Sequence, residues 1–141
     1  MGGRGSSSGA RTTDNGTVLP YGSEYRAVLQ SGDIKFVTAV NGNTTAPMET
    51  MTKGRIYVTL DYKNGLKFIT MYDDKGRRTQ QIDLSGGPHR IDGELVYPPH
   101  VHMGYFHDEN GSRKITPDEG RLIERVNSIW NQDDMGAIRR V

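Results

Sequence analysis

The chain has 141 residues, of which 18 are Lys or Arg and 17 are Asp or Glu, and it contains no cysteine. The formal net charge of +1 excludes the basic footprint of a general nucleic-acid binder, and the lack of cysteine excludes disulfides, thiolate metal sites and a cysteine nucleophile. No apolar run approaches the roughly 18 residues of a membrane-spanning helix, and no secretory signal is evident, so we expect a cytoplasmic protein without membrane contact.

The first part of the chain lacks the apolar surface needed for a packed structure. Residues 1–20 are rich in Gly, Ser and Arg, which predicts a flexible leader. We predict a single domain over residues 21–132 and a C-terminal tail over residues 133–141. Within the domain, the apolar residues of 34–40 indicate a strand, and the Asn-Gly and Pro residues of 41–54 indicate a loop.

An antiparallel meander is predicted for the middle of the chain. Ile56, Val58 and Leu60 alternate with other residues, as on one face of a strand. Asn64-Gly65 follows and is a strong hairpin signal, because both central residues of the tight turn must tolerate positive φ. Further strands are predicted over residues 66–72, 77–84 and 100–106, with turns or loops between them and at residues 108–112.

A helix is predicted near the C-terminus. Thr116 is a suitable N-cap, Pro117 occupies the first helical position and Glu119 completes a capping box. Leu122, Val126 and Ile129, with neighbouring apolar residues, form a stripe at helical spacing that should pack on the sheet. The sequence therefore predicts an α+β fold, in which an antiparallel meander of four or five strands packs against one C-terminal helix.

All four histidines of the chain lie between residues 89 and 107. In a strand, side chains at positions i and i+2 share a face, so His100 and His102 should be neighbours, with Val101 and Met103 facing the core. His89 follows the strand that ends near Asp83, and the end of one meander strand lies beside the start of the next. We therefore expect Asp83, His89, His100 and His102 to converge at one edge of the sheet. His107 has the wrong strand parity for this group.

Two chemistries suit such a cluster. Two imidazoles can take a proton from one oxygen and donate a proton to another, which is sufficient for metal-independent RNA cleavage by the 2′-hydroxyl. Alternatively, neutral imidazoles of His89, His100 and His102, with Asp83 or Asp92, could bind zinc or another divalent ion. The first chemistry requires no cofactor, and the second requires a metal.

Neighbouring residues could assist either chemistry. Arg90, Lys114 or Arg113 could stabilise the negative charge of a pentavalent phosphorane. Tyr97 and Tyr105 flank the histidines and could stack on a nucleobase. Solvated loop histidines and half-buried sheet tyrosines are the structural alternative to these roles.

The order of these motifs resembles a group of small phage and prophage proteins. The segments are YDDKGRRTQQIDL, PHRIDG, PPHVHMGYFH and a capped helix ending in RVNSIW, preceded by a leader like MGGRGSSSG. This group is similar to C-terminal domains of bacterial polymorphic toxins that carry a Pro-His-x-His motif and are regarded as nucleases. The resemblance covers residues 21–131, and Pro99–His102 is its most specific part. The chain departs from the pattern at Ser85–Gly87, where a further histidine is common.

The resemblance implies a phage-encoded, histidine-dependent nuclease that acts on RNA in the bacterial cytoplasm. The alternative is a non-enzymatic phage protein that binds and inhibits a host defence target, for example an anti-CRISPR, or a structural phage protein docked through its leader. RNA or a host protein is therefore the expected partner. Catalysis should fail on loss of one histidine, whereas inhibition should depend on a surface patch.

Overall fold

The structure is a computed structural model that describes residues 24–40, 45–106 and 109–134. The predicted leader and most of the predicted tail lie outside the described residues. The described residues form, in chain order, the strands β1 (Tyr25–Ser31), β2 (Ile34–Ala39), β3 (Ile56–Leu60), β4 (Leu66–Tyr72), β5 (Arg78–Asp83), β6 (His89–Ile91), β7 (Glu94–Val96), β8 (His100–Met103) and β9 (Ser112–Lys114), followed by the helix α1 (Pro117–Asp134).

The predicted α+β class is confirmed. Seven strands form one sheet in the order β1-β2-β3-β4-β5-β8-β9, and β6 and β7 form a separate hairpin. The sheet is larger than the expected four or five strands, because β1 pairs with β2 at one edge and the three-residue β9 pairs with β8 at the other. Both added strands lie in segments with little alternation of apolar and polar residues, so pairing rather than pattern identifies them.

One strand pair departs from the predicted meander. β2 and β3 are parallel, with Ile34 opposite Ile56 and Val37 opposite Thr59. The predicted loop between them is long enough to return the chain to the beginning of β2, so β3 starts beside the start of its neighbour. A parallel pair needs such a crossover, whereas a tight hairpin produces an antiparallel pair.

The helix covers one face of the sheet. Ile82, Val101 and Val126 are fully buried in this core, and the rings of Phe36 and Trp130 stack with centroids 5.1 Å apart. The predicted capping box is present: the Glu119 amide donates to Thr116 Oγ1 and the Thr116 amide donates to a Glu119 carboxylate oxygen.

The Glu119 carboxylate also fastens the helix to two strands. It accepts two hydrogen bonds from Arg113 of β9, at 2.7 and 2.6 Å, and one from Gln80 of β5 at 3.0 Å. Burial alone would raise the pKa of Glu119, but the Arg113 hydrogen bonds act more strongly, so its pKa lies below its ordinary value. Arg113 is thereby held on the helix side of the sheet.

The opposite face has a smaller aromatic core. Tyr25, Val37 and Tyr57 are buried there, with Tyr72 packed against them. The segment that follows residue 44 crosses this face, and the Tyr25 hydroxyl donates to the Thr45 carbonyl at 2.8 Å. This cover lies over the β1–β4 half of the sheet, whereas the predicted site lies on β5 and β8.

A buried lysine on this second face predicts a pH dependence of stability. Lys35 is 3% exposed, and burial, assisted by the Arg55 charge, lowers its pKa from 10.5 to about 8. Between these values the unfolded chain binds more protons than the folded chain, so the free energy of unfolding should rise as pH increases. We expect a rise of roughly 1–2 kcal/mol between pH 7.5 and about 9.5, measured by urea unfolding.

The Lys35→Met variant tests the origin of this effect, because it has no titratable group at that position. Its free energy of unfolding should change much less over the same interval. A rise of equal size in the variant would contradict the assignment to Lys35. The measurements should stay below pH 10, because burial raises the pKa of Tyr57 and Tyr72 above 10.0.

Candidate functional site

Two neighbouring strands position the centre of the histidine cluster. β5 and β8 are antiparallel, with Asp83 directly opposite His100 and Gln81 opposite His102. Val101, between the two histidines, is fully buried in the helix-side core. The period of two therefore places both imidazoles and Asp83 on the sheet face away from the helix, as predicted.

The β6–β7 hairpin carries the third imidazole to this face. The His89 ring lies edge-to-face with both others, with centroids 5.1 Å from His100 and 4.5 Å from His102. His100 and His102 are themselves 4.9 Å apart and nearly perpendicular. Each residue offers one ring nitrogen, and these nitrogens all lie within 4.8 Å of one another. The expected convergence of the three histidines is therefore present.

Asp83 links the two strand histidines. Its Oδ2 atom lies 2.9 Å from His102 Nε2 and 3.3 Å from His100 Nε2, while Oδ1 accepts a hydrogen bond from Gln81 at 2.9 Å. Burial would raise the pKa of Asp83, but the hydrogen bonds from His102 and Gln81 outweigh it and hold the pKa below its ordinary value. Asp83 is therefore an ionised acceptor near neutral pH.

An ionised acceptor determines which ring nitrogen carries the proton. Because Asp83 only accepts, His102 must donate from Nε2, and its Nδ1 can then accept from the Ser112 hydroxyl 3.0 Å away. His100 likewise donates from Nε2, while its buried Nδ1 has no hydrogen-bond partner in the described part of the chain. An unprotonated, buried nitrogen of this kind can serve as a base or as a metal ligand.

Exposure differs within the cluster. His100 and His102 are 0% and 3% exposed, whereas His89 is partly exposed on its hairpin. A ligand approaching from solvent therefore meets His89 first. The other two imidazoles form the inner wall of the site.

A chain of hydrogen bonds along β5 connects Arg78 to Asp83 of the cluster. Arg78 donates to Gln81 Oε1 at 3.1 Å and to the Tyr105 carbonyl at 2.5 Å, and Gln81 in turn donates to Asp83. Arg78, Gln81 and Ser112 were not predicted as functional residues. Gln81 lies two residues from Asp83 on the same strand face, whereas the contacts of Ser112 with His102 and of Arg78 with Tyr105 depend on the pairing of distant segments.

The remaining predicted residues are more dispersed. Lys114 lies opposite His100 in register but forms an ion pair with Glu94, and Arg90 is exposed, with its guanidinium bonded to the Gly93 carbonyl. Tyr97 is 65% exposed after the hairpin. Lys114 therefore lies beside the cluster, whereas Arg90 alternates with His89 along β6 and points to the opposite face of the hairpin.

The other candidates are Tyr105, Asp92 and His107. Tyr105 is 8% exposed beyond the end of β8, and the Arg77 guanidinium covers its ring at 3.9 Å. The predicted strand of residues 100–106 ends at Met103, because Gly104 turns the chain with φ +117°. Asp92 is exposed in the β6–β7 turn, and His107 lies outside the described residues.

The chain shows no helix with the length and apolar character needed to cross a bilayer, among the residues described. Comparison with protein families, curated proteins and solved structures finds no match to this chain.

Proposed function

We propose that this protein is a histidine-dependent phosphodiesterase of the nuclease class that acts on RNA. The observation that carries the proposal is the convergence of His89, His100 and His102 around the ionised Asp83. Two buried imidazoles whose tautomers are set by Asp83, beside a partly exposed third imidazole, form an arrangement suited to metal-assisted chemistry on a phosphodiester or to proton transfer by His89. A purely structural role would not require three histidines in mutual contact.

The surroundings of His89 suit a nucleotide chain. Tyr97 presents an exposed ring on which a base can stack, and Lys114, opposite His100 in the strand register, supplies positive charge for a phosphate. Lys114 forms an ion pair with Glu94, so a bound phosphate would replace the Glu94 carboxylate as the partner of the Lys114 ammonium. The positive charge is local, in keeping with the net charge of +1.

RNA requires the fewest catalytic groups from this site, because its own 2′-hydroxyl is the nucleophile. The 2′-hydroxyl loses its proton to a base, its oxygen attacks phosphorus, and the bond from phosphorus to the 5′-oxygen breaks. A proton then passes to that 5′-oxygen, which leaves a 2′,3′-cyclic phosphate. The site must therefore move protons and stabilise the charge of the transition state, without supplying a nucleophile of its own.

Purified protein should cleave an RNA oligonucleotide and leave the 2′-deoxy oligonucleotide of the same sequence intact. Mass spectrometry of the products should show a 2′,3′-cyclic phosphate terminus. Equal cleavage of both oligonucleotides would contradict attack by the 2′-hydroxyl. No cleavage of either by folded protein, with or without added divalent metal, would contradict the nuclease function and favour binding of a host target.

A further inference from the structure

We infer that His89, His100 and His102 together bind one divalent transition-metal ion of the zinc class, and that Asp83 is a positioning residue for this ion. The inference rests on the proposed function in that it concerns the same site. Metal binding can be measured without an assay of RNA cleavage, so the metal site and the proposed function can be disproved independently. Imidazole nitrogens are preferred ligands of such ions, and three of them leave a coordination position for water or a phosphate oxygen.

The distances are close to those of a coordination sphere. Zinc binds nitrogen at about 2.0–2.1 Å, so two nitrogens on one tetrahedral ion lie about 3.4 Å apart. The three ring nitrogens of the cluster all lie within 4.8 Å of one another. A tetrahedral ion would require the three imidazoles to move closer together. His89 is the member that is partly exposed and lies on a hairpin outside the seven-stranded sheet.

The hydrogen bonds of His100 support a ligand role. A metal-binding histidine commonly donates its second ring N–H to a carboxylate, which leaves the other nitrogen unprotonated for the ion. His100 has this arrangement: Nε2 lies 3.3 Å from Asp83, and the buried Nδ1 has no hydrogen-bond partner among the residues described. A buried polar atom without a partner destabilises the folded chain, and a bound ion would supply that partner.

To bind the ion, His102 must give up one of its two hydrogen bonds. Its two ring nitrogens face Asp83 and Ser112. The bond to the neutral Ser112 hydroxyl is weaker than the charge-assisted bond to Asp83, so we expect metal binding to replace the serine contact.

Burial also favours a metal over direct proton transfer by the inner histidines. His100 and His102 are 0% and 3% exposed, so neither ring can touch a phosphodiester in this arrangement. A buried imidazole can nevertheless hold an ion whose open position faces solvent on the His89 side. Such an ion would polarise a phosphate oxygen and stabilise the charge that develops during cleavage.

The test is a titration of chelator-treated protein with Zn²⁺ by calorimetry and with Co²⁺ by visible absorption. One ion per chain should bind, and Co²⁺ should show the intense d–d bands of low coordination. The variant His89→Ala should weaken Zn²⁺ binding by more than about a hundredfold, and Asp83→Asn by about 10–100-fold. Asp74→Asn is the matched control, because Asp74 is exposed in the β4–β5 turn, and it should bind like the wild type.

The outcomes separate the metal from the activity. Failure of folded wild-type protein to bind either ion, or undiminished binding by His89→Ala, would overturn the inference. Cleavage of RNA by metal-free protein in excess chelator would also overturn a catalytic metal, while leaving the proposed function in place. Tight binding of one ion without cleavage of RNA would support the metal site and count against the nuclease function.

Discussion

Replacement of His89 by alanine should lower kcat/KM for RNA cleavage by at least about a hundredfold, and by as much as about ten-thousandfold. The variant should remain folded, because His89 is partly exposed on a hairpin of two three-residue strands and is not part of either hydrophobic core. Removal of its imidazole opens the cluster on the side that substrate reaches. The loss should therefore appear in activity rather than in stability.

The measurement is single-turnover cleavage of a labelled RNA, accompanied by Tm from thermal unfolding. Leu95→Ala is a matched control, since Leu95 lies opposite Arg90 on the same hairpin and is 48% exposed. It should retain activity within a few fold of the wild type. A His89→Ala protein that cleaves as fast as the Leu95→Ala protein would show that the histidine cluster is not the active site.

Replacement of Gly76 by alanine should destabilise the protein by about 3–5 kcal/mol. Gly76 has φ +78°, a conformation that L side chains rarely adopt, and a Cβ atom there would lie 2.0 Å from the Thr50 carbonyl oxygen. That oxygen belongs to the backbone and cannot rotate away. The Thr50 amide also donates to the Gly76 carbonyl at 2.8 Å, so any shift of either segment breaks this contact.

Two other glycines allow the backbone strain of a positive φ to be separated from the steric clash with Thr50. Gly54 has φ +74° with nothing within 4 Å of an added Cβ, so Gly54→Ala should show the backbone strain alone, about 1–2 kcal/mol. Gly87 has neither a positive φ nor a close neighbour, so Gly87→Ala should be nearly neutral. Urea unfolding at pH 7 measures all three variants. Equal destabilisation by Gly76→Ala and Gly54→Ala would contradict the clash with Thr50.

Local signals predicted much of the fold. β3 and β4 form a hairpin as expected, but residues 61–65 connect them and only Asn64, at φ 64°, and not Gly65, has positive φ. The predicted Thr116–Glu119 capping box begins the helix. Turns and caps depend on a few adjacent residues, so they are visible in the sequence. The parallel pairing of β2 with β3 was not predicted, because it depends on how a long loop returns across the sheet.

The candidate site was likewise predicted in part from the sequence. The period of two placed His100 and His102 on one face, and the meander placed Asp83 beside them. The contact of His89 with both rings depends on the position of the β6–β7 hairpin, which is not hydrogen-bonded into the main sheet. The contact of Ser112 with His102 depends on the pairing of β8 with β9, whereas Gln81 shares a strand face with Asp83 by the same period of two.

The sequence by itself determined the α+β class, the C-terminal helix, the hairpins of the middle sheet and the segment that holds the histidines, because these follow from local periodicity, turn chemistry and composition. The tertiary structure decided the strand order, the burial of His100 and His102, the tautomers imposed by Asp83 and the contact of Arg77 with the Tyr105 ring. These features depend on contacts between residues far apart in the chain. Strand register and loop paths determine such contacts, and neither leaves a local pattern in the sequence.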